Sequence, residues 1–389
     1  MFKPTRGTHD LFGLEIEKYN IVISEISKIA KIYNFNEIET PIFESTNLFS
    51  QPLGVQSDVV LKEMYTFLDK NNDSLTLRPE YTTPMIRAAI SNNLLNSLPS
   101  KVFGIGPMFR RERPQKGRYR QFNQINFENF GSNDPFADIE LILIAKQIIE
   151  TLLPKNNCTL HINSLGDKET LKIYKKELSN YLRKFEKNLS LESKEKLLTN
   201  PLRILDSKDK ADQLAISSAP LIVDFLSKDA LNKYHEVKKF LEQYNIVFEE
   251  NFSLVRGLDY YCHTVFEFKS NELGSQDTLI GGGRYDGLTK TLGGPDIPGV
   301  GWAGGVERIM MLMQDKTNKN EAIQLLEFLA SPEGSKGLAA PTFEHPLKEV
   351  NQNEIVKSFG EFTPDSVTVE DLGEKNSIAI KLMKDAGWN

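Results

Sequence analysis

The spacing of apolar residues along this chain predicts several amphipathic helices. Between residues 15 and 33, isoleucines recur near a helical period. TTPMIRAAISNNLL and ADIELILIAKQIIETLL have the same kind of pattern, and Pro84 stands where the first turn of a helix would begin. WAGGVERIMMLM predicts a further helix before the tail.

Other segments have the composition of strands and turns. MYTFLDKNNDSLTLRPE predicts a hairpin that turns at residues 71–73. KVFGIGPMFR and RQFNQINFENFG predict two strands joined by a polar loop, and FSLVRGLDYYCHTVFEF predicts a later strand. Pro41 interrupts a β-rich segment, which is typical of an edge or interface strand.

The order of these elements predicts the fold class. Hairpins predominate and no βαβ repeat is evident, which favours an α+β fold with an antiparallel sheet flanked by helices. Lysine-rich residues after position 166 have a helical pattern and predict an inserted module. The predicted domains are the first part of a core at 1–166, a helical insertion at 167–250, the second part of the core at 251–314 and an atypical tail at 315–389.

Composition narrows the class of protein. A chain of 389 residues with mixed apolar and charged content is expected to be globular, with two or three domains. It has no apolar run long enough for a membrane span, and its first residues lack the apolar core of a secretory signal. The spacing of Cys158, Cys262 and the five histidines predicts neither a disulfide framework nor a metal site. A cytoplasmic location is therefore expected.

Positive charge is concentrated at residues 109–131, although the net charge of the chain is -6. The cationic residues of this stretch are Arg110, Arg111, Arg113, Lys116, Arg118 and Arg120. Such a local excess predicts a site for polyanions, either nucleotide phosphates or nucleic acid. A solvated basic hairpin is the structural alternative.

Three further segments carry groups that could line a pocket. Glu80 and Thr82 follow a predicted strand and could bind an ammonium group, or Glu80 could form a salt bridge at the strand end. Gln124 and Glu128 are four residues apart on a predicted strand and share one face, although Glu128 could also pair with a nearby arginine. In RGLDYY, Arg256 stands beside a glycine and two tyrosines, which suits either a pocket wall or an ordinary strand.

A glycine-rich segment, GGGRYDG, is open to two interpretations. It could cradle a phosphate, but it lacks the lysine of a P-loop and the spacing of a dinucleotide-binding loop. It could equally be a strand whose bare backbone lines a ligand pocket.

Together these segments resemble the three signature motifs of class II aminoacyl-tRNA synthetases, and in particular the histidyl-tRNA synthetase family. ETPIFE resembles the dimer-interface motif, FRRERPQKGRYRQF the second motif and GVGWAGGVER the third. RGLDYY and GGGRYDGL are peculiar to the histidyl family. The resemblance covers residues 1 to about 314. It implies a class II synthetase-like sheet, a homodimer, and ligation of L-histidine to tRNA(His) with ATP and Mg²⁺.

The resemblance also implies roles for individual residues. Those implied to bind histidine are Glu80, Thr82, Gln124, Glu128, Tyr260, Tyr261 and Tyr285. The first three would bind the amino group, Glu128 and Tyr261 would read the imidazole nitrogens, and the other two tyrosines would shape the pocket.

A second set of residues is implied for ATP and tRNA. ATP would be bound by Arg110, Glu112 and Arg308, and the implied catalytic residues are Arg256, at the α-phosphate, and Arg110. The implied tRNA acceptor loop contains Arg113, Gln115, Lys116 and Arg118. The carboxylate of histidine is ionised at neutral pH and needs no general base, so catalysis would depend on orientation and cationic stabilisation.

The tail departs from the family's pattern. Members of the family end in an anticodon-binding α/β domain, which residues 315–389 do not resemble. EAIQLLEFLASPEGS, SFGEFTPDSV and LMKDAGW instead resemble the C-terminal fragment of a periplasmic ferric-iron-binding protein. A fused or mis-joined chain with impaired tRNA charging is therefore one alternative.

Two other functions compete with histidine–tRNA ligase. The regulatory subunit of ATP phosphoribosyltransferase resembles the synthetase core and lacks the anticodon domain. A solute-binding protein is suggested by the tail alone. The basic loop, RGLDYY and Arg308 favour the ligase, because a regulatory protein needs neither a tRNA loop nor a phosphate-binding arginine.

Overall fold

The computed structural model of this chain describes residues 2–54, 57, 59–313 and 328. The helices predicted after Gln314 lie outside the described residues. None of the described helices combines the length and apolar character needed to cross a bilayer.

The strands of the described residues form two sheets. In chain order they are β1 (Asn36–Glu37), β2 (Phe43–Ser45), β3 (Tyr65–Leu68), β4 (Ser74–Leu77), β5 (Ser100–Phe109), β6 (Gln121–Phe130), β7 (Cys158–Ser164), β8 (Phe248–Glu250), β9 (Cys262–Ser270), β10 (Thr278–Arg284) and β11 (Gly299–Gly305). The 8-stranded sheet has the order β1-β5-β6-β11-β10-β9-β7-β8, and the 3-stranded sheet has the order β2-β4-β3. The two edge pairs β1–β5 and β7–β8 are parallel, whereas the central pairs are antiparallel. The large sheet is therefore mixed, and the predicted antiparallel pairing holds in its centre.

Helices flank the large sheet. They are α1 (Leu14–Ile32), α2 (Asn47–Ser50), α3 (Thr82–Ser91), α4 (Phe136–Leu152), α5 (Lys168–Arg183), α6 (Leu191–Thr199), α7 (Lys210–Ile216), α8 (Lys228–Gln243), α9 (Leu288–Thr291) and α10 (Val306–Leu312). Short 3₁₀ or π turns occur at Val59–Glu63, Leu94–Asn96, Glu186–Asn188, Pro201–Ile204, Ile222–Phe225 and Asn271–Gln276.

Alternating strand residues build a core on each face of the sheet. Phe103 and Phe266 belong to a cluster with α1, α4 and α10, whereas their neighbours Val102 and Val265 belong to a cluster with α3 and α5. This follows from the two-residue period of a strand, which sends successive side chains to opposite faces. The second face also carries the candidate site.

The helix predicted for WAGGVERIMMLM begins later than expected. Trp302 lies in β11, and α10 begins at Val306. The indole of Trp302 stacks on Phe127 at a centroid distance of 4.8 Å, and its Nε1 donates to Leu141 O at 3.0 Å. Burial against a neighbouring strand therefore overrides the helical pattern of the local sequence.

The strand predicted for FSLVRGLDYYCHTVFEF is also shorter than expected. It begins at Cys262, and residues 252–261 lie outside any strand. Leu254, Val255 and Leu258 belong to the apolar cluster on the face of the sheet that carries α3 and α5, although they lie outside any strand. Pro41 likewise lies between β1 and β2 and in neither.

Candidate active site

One cavity of about 260 Å³ gathers side chains from distant parts of the chain. The sequence-predicted residues that line it are Glu80, Thr82, Arg110, Glu112, Arg118, Gln124, Arg256, Tyr260, Tyr261 and Arg308. Glu128 and Tyr285 are buried and do not line the cavity. Glu128 accepts a hydrogen bond from the lining residue Thr82 and another from Tyr285. Arg113, Gln115 and Lys116 are exposed on the loop between β5 and β6 and do not line the cavity.

Glu80 is held in place by the first turn of α3. It follows the end of β4, and its two carboxylate oxygens accept from the backbone nitrogens of Thr82 and Thr83, each at 2.9 Å. The hydroxyl of Tyr260 donates to Glu80 Oε2 at 3.5 Å. Burial raises the pKa of Glu80 above its ordinary value. The result is a fixed carboxylate in the lining of the cavity.

Glu128 is a second carboxyl group, buried behind the lining residue Thr82. Its Oε1 accepts from Thr82 Oγ1 at 2.7 Å, and its Oε2 accepts from the hydroxyl of Tyr285. Complete burial outweighs these hydrogen bonds and raises the pKa of Glu128 to about 8. The carboxylate occupies space that a side chain on β11 would need, because a Cβ on Gly301 would lie 1.6 Å from Glu128 Oε2. Glu128 therefore pairs with hydroxyl groups and not with a neighbouring arginine.

Gln124, Asn126 and Glu128 share one face of β6, as the two-residue period requires. The Oε1 atom of Gln124 is buried and has no hydrogen-bond partner among the described residues, so it is available to a ligand donor. Asn126 lines the cavity and donates to Glu128 Oε1 at 3.4 Å. Asn126 was not predicted from the sequence. The two-residue period of a strand, which places Gln124 and Glu128 on one face, places Asn126 on that face as well.

Three tyrosines form an aromatic wall beside the carboxylates. The ring centroids of Tyr260 and Tyr261 are 4.6 Å apart, and the ring of Tyr260 meets that of Tyr285 edge-on at 5.8 Å. Tyr260 and Tyr261 come from the segment before β9, and Tyr285 follows β10, so the pairing of these strands brings the rings together.

Three arginines, Arg110, Arg118 and Arg308, line the same cavity. Burial and the neighbouring cations Arg110 and Arg118 lower the pKa of Arg308. Arg110 donates through Nε to Pro79 O at 2.7 Å, and Arg308 donates through Nε to Gly117 O at 3.0 Å. Backbone carbonyl oxygens thus hold two guanidinium groups in place despite their like charge. Such a cluster can bind a polyphosphate, since each arginine can bind anionic oxygen atoms.

Arg256 also lines the cavity and is positioned by Glu267. Its Nη1 forms an ion pair with Glu267 Oε1, and its guanidinium lies over the ring of Tyr261 at 5.4 Å from the centroid. A Cβ on Gly281 would lie 2.6 Å from Arg256 Nη1, so the bare backbone of β10 makes room for the guanidinium. The segment GGGRYDG is thus a strand that lines a pocket, and not a phosphate loop. No signal in the sequence pointed to Glu267.

Arg118 differs in position from the rest of the basic loop. It forms an ion pair with Glu112, and both side chains line the cavity. Gln115 pairs with Arg118 as an isolated bridge, which turns the loop back toward the site. Glu307, another lining residue that our interpretation missed, accepts from the backbone nitrogen of Asn123 at 2.8 Å.

Known proteins resemble this chain in both sequence and structure. A model of the histidyl-tRNA synthetase family matches residues 7–309. Histidine–tRNA ligase of Wolbachia pipientis subsp. Culex pipiens (strain wPip) is 44% identical over 395 residues, which cover 96% of this chain and 97% of the relative. The structure of apo histidyl-tRNA synthetase of S. aureus matches with a TM-score of 0.65 at 32% sequence identity. The match covers 85% of this chain and 83% of the S. aureus chain.

The similarity extends into the tail. Histidine–tRNA ligase of Ehrlichia canis (strain Jake) is 43% identical over 407 residues, which cover 100% of this chain and 98% of the relative. No support is found for a ferric-iron-binding tail, and the regulatory-subunit alternative is not supported by these relatives. The predicted family, fold class and ligase function are confirmed: the chain belongs to the histidyl-tRNA synthetase family of histidine–tRNA ligases.

Proposed function

We propose that this ligase forms histidyl-adenylate in the 260 Å³ cavity and then transfers histidine to tRNA(His). One observation carries the proposal. The fixed carboxylate of Glu80 and the cations Arg110, Arg118 and Arg308 line the same cavity, and buried Glu128 is bonded to its lining residue Thr82. Carboxylates and clustered arginines together match an amino acid joined to a triphosphate.

Glu80, Thr82 and Gln124 bind the ammonium group of histidine. Glu80 is anchored by the start of α3, so its carboxylate is oriented before the substrate arrives. The hydroxyl of Thr82 donates to Glu128, which leaves the lone pairs of its oxygen for the ammonium hydrogens. The unpartnered Oε1 of Gln124 adds a third acceptor.

Glu128 and Tyr261 read the imidazole nitrogens, with Tyr260 and Tyr285 as the pocket wall. Both side chains that read the ring are buried, so a substrate analogue that cannot hydrogen-bond leaves polar groups without partners. A site of this kind can reject such an analogue by a factor of about 10⁴.

Arg110, Glu112 and Arg308 bind ATP, and Arg256 stands at the α-phosphate. A carboxylate oxygen of histidine attacks the α-phosphorus, the bond to the bridging oxygen of the β-phosphate breaks, and pyrophosphate leaves with that electron pair. Arg256 and Arg110 stabilise the charge that develops on the transferring phosphate. Mg²⁺ enters as part of the ATP substrate complex, bound to phosphate oxygens.

The exposed Arg113, Gln115 and Lys116 contact the tRNA acceptor end, and Arg118 joins this loop to the cavity. The helices of the segment 167–250 approach the acceptor arm, and this segment is inserted between two parts of the catalytic core at 1–166 and 251–314; its last strand, β8, joins the large sheet beside β7. The location of the enzyme is cytoplasmic.

The ligase acts as a homodimer. Phe43, Phe67 and Leu68 are more than two-fifths exposed on the 3-stranded sheet, at 53%, 44% and 63%. Covering such side chains with a second copy would remove apolar surface from water. Sedimentation at micromolar concentration tests this, and a monomer would contradict it.

The central experiment is histidine-dependent ATP–pyrophosphate exchange with an Arg256→Ala variant. Removing the cation at the transferring phosphate is expected to lower exchange by about 10²-fold or more. Arg183→Ala serves as the matched control, because Arg183 is exposed in the last turn of α5. Near-normal exchange by a folded Arg256→Ala protein would overturn the assignment. Charging of tRNA(His), measured beside exchange, tests the second step.

A further inference from the structure

Three side chains of types that can bind metal ions lie close together, next in the chain to two tyrosines of the candidate site. Cys262, His263 and Asp286 each offer one ligand atom, and these atoms lie within 4.8 Å of one another. Cys262 follows Tyr261 in the chain, and Asp286 follows Tyr285. The proposed function uses neither the thiol, the imidazole nor this carboxylate.

The backbone at His263 is unusual for a residue in a strand. Its φ is 46°, in the left-handed region that non-glycine residues rarely adopt. Gly283 pairs with Val265, whereas the next residue of β10 pairs with Cys262, so β9 contains a bulge at residues 263–264. The backbone nitrogen of His263 donates to Gly166 O at 2.7 Å, which pins this conformation. A bulge redirects a side chain, and local strain of this kind is concentrated at functional sites.

One polar atom of the cluster has no hydrogen-bond partner among the described residues. This atom is the buried Nδ1 of His263. The Cys262 sulfur is buried and accepts from the Asp286 backbone nitrogen at 3.2 Å, so the thiol and the carboxylate are held side by side.

Arg284 forms two ion pairs of different length beside the cluster, a close one with Asp138 and a longer one with Asp286. It forms a buried ion pair with Asp138, to which its Nε donates at 2.8 Å, whereas its Nη1 is 3.7 Å from Asp286 Oδ1. Asp286 Oδ1 accepts from the backbone nitrogen of Gly299 at 3.1 Å. Asp138 is thus the closer partner of Arg284, and the second carboxylate oxygen of Asp286 is left for a cation.

We propose that Cys262, His263 and Asp286 bind a divalent transition-metal ion, with zinc the best match. Sulfur, imidazole nitrogen and carboxylate oxygen are the ligands of zinc, at about 2.0–2.3 Å, which places ligand atoms of one tetrahedral ion about 3.6 Å apart. A contraction of the cluster by about 1 Å is enough to reach this geometry. Binding forms a metal–sulfur bond and releases the thiol proton to solvent, and water takes the fourth position.

Such an ion would tie β9 to the turn after β10. Because two of its ligands are chain neighbours of Tyr261 and Tyr285, it would fix the backbone on both sides of the histidine pocket. The proposal is independent of the proposed function, since metal binding is measured without substrates.

The test uses Co²⁺ as the probe and the full chain with Cys158→Ser. The chain has two cysteines, so after this change Cys262 is its sole thiol. After treatment with a chelator and its removal, the protein is titrated with Co²⁺ and followed by absorption. We expect one Co²⁺ per chain, with a sulfur-to-cobalt charge-transfer band that Zn²⁺ abolishes by displacement. Absence of this band at saturating Co²⁺ would overturn the proposal, whatever the enzyme's activity.

Two further variants locate the site. Asp286→Asn in the same background is expected to weaken Co²⁺ binding at least tenfold, whereas His161→Asn, which changes a histidine on β7, is expected to leave it unchanged. Equal binding by the Asp286→Asn protein would also overturn the proposal. The Cys158→Ser measurement stands even where a second substitution prevents folding.

Discussion

The hydroxyl of Thr82 donates a 2.7 Å hydrogen bond to Glu128 Oε1, across 46 residues of sequence. The backbone nitrogen of the same threonine donates to Glu80. One residue at the start of α3 thus orients both carboxylates of the pocket. A substitution that removes its hydroxyl but keeps its shape can therefore test the hydrogen bond alone.

Thr82→Val keeps the shape of this side chain and removes its hydroxyl. We expect the KM for histidine to rise by at least about tenfold, because a buried carboxylate loses a donor and the ammonium loses an acceptor. Thr82→Ser retains the hydroxyl and serves as the matched control, with a KM within about threefold of the wild type. Pyrophosphate exchange at varied histidine concentration measures both. Equal KM values for the two variants would contradict the role of the hydroxyl.

Glu128 should make the stability of the protein depend on pH. Its folded-state pKa is raised to about 8, whereas the ordinary value is 4.5, so the folded chain binds an extra proton between these values. The contribution of this group to the free energy of unfolding therefore falls as pH rises through that window. Glu128→Gln removes the effect, and urea unfolding at pH 5.5 and 8.5 measures it. Exposed Glu186→Gln should keep the wild-type slope.

Gly301→Ala tests the space that Glu128 needs. The added Cβ would lie 1.6 Å from Glu128 Oε2 and 2.7 Å from Phe127 O, so the carboxylate or the strand must move. We expect lower thermal stability and weaker histidine binding. Gly305→Ala, at the end of the same strand, meets its nearest atom at 3.5 Å and should unfold near the wild-type temperature. If both variants unfold alike, steric exclusion at Gly301 is not the cause.

Glu267 acts as a positioning residue for Arg256. Its Oε1 pairs with the guanidinium and its Oε2 accepts from Thr278 Oγ1 at 3.1 Å, so it fixes the arginine, and it does not itself line the 260 Å³ cavity. Glu267→Gln should lower kcat of exchange by up to about 10²-fold, because small misplacements of a catalytic group have large effects. The KM for histidine should stay unchanged. Exposed Glu249→Gln is the control, and a KM effect with normal kcat would contradict this role.

Asp212 should hold the helical segments around it together. It accepts from Ser190 N at 2.8 Å, Ser193 Oγ at 2.7 Å and Ser207 Oγ at 2.6 Å. Burial opposes ionisation of Asp212, but these hydrogen bonds outweigh it and lower the pKa of the carboxyl group below its ordinary value of 3.8. The contribution of Asp212 to the free energy of unfolding is therefore present above pH 3.8 and is lost as pH falls through the folded-state pKa. Asp212→Asn should cost about 2 kcal/mol at neutral pH and less in acid. Exposed Asp224→Asn should have no effect at either pH.

Local sequence patterns correctly predicted the helices and strands whose formation depends mainly on their own residues. The helix predicted at residues 15–33 is observed at Leu14–Ile32, and the two long strands around the basic loop are observed at Ser100–Phe109 and Gln121–Phe130. Their periods are set by burial of one helix face or by strand alternation, which a short window of sequence contains.

Errors arose where distant partners decide the structure. Trp302 has helix-like neighbours in the chain, but Phe127 and Leu141 place it in a strand. Glu267 could not be recognised as a partner of Arg256, because the turn of the chain before β9 brings them together. The tertiary pairing of β9 with β10 likewise brings Asp286 to Cys262.

The order of strands in the large sheet also bears on synthesis. β11 lies between β6 and β10, yet it is the last strand among the described residues to leave the ribosome. Until residues 299–305 emerge, β6 and β10 each have an unpaired edge, and unpaired edges favour association with other chains. The nascent chain therefore cannot join the two halves of its large sheet or complete its pocket before residues 299–305 have been translated.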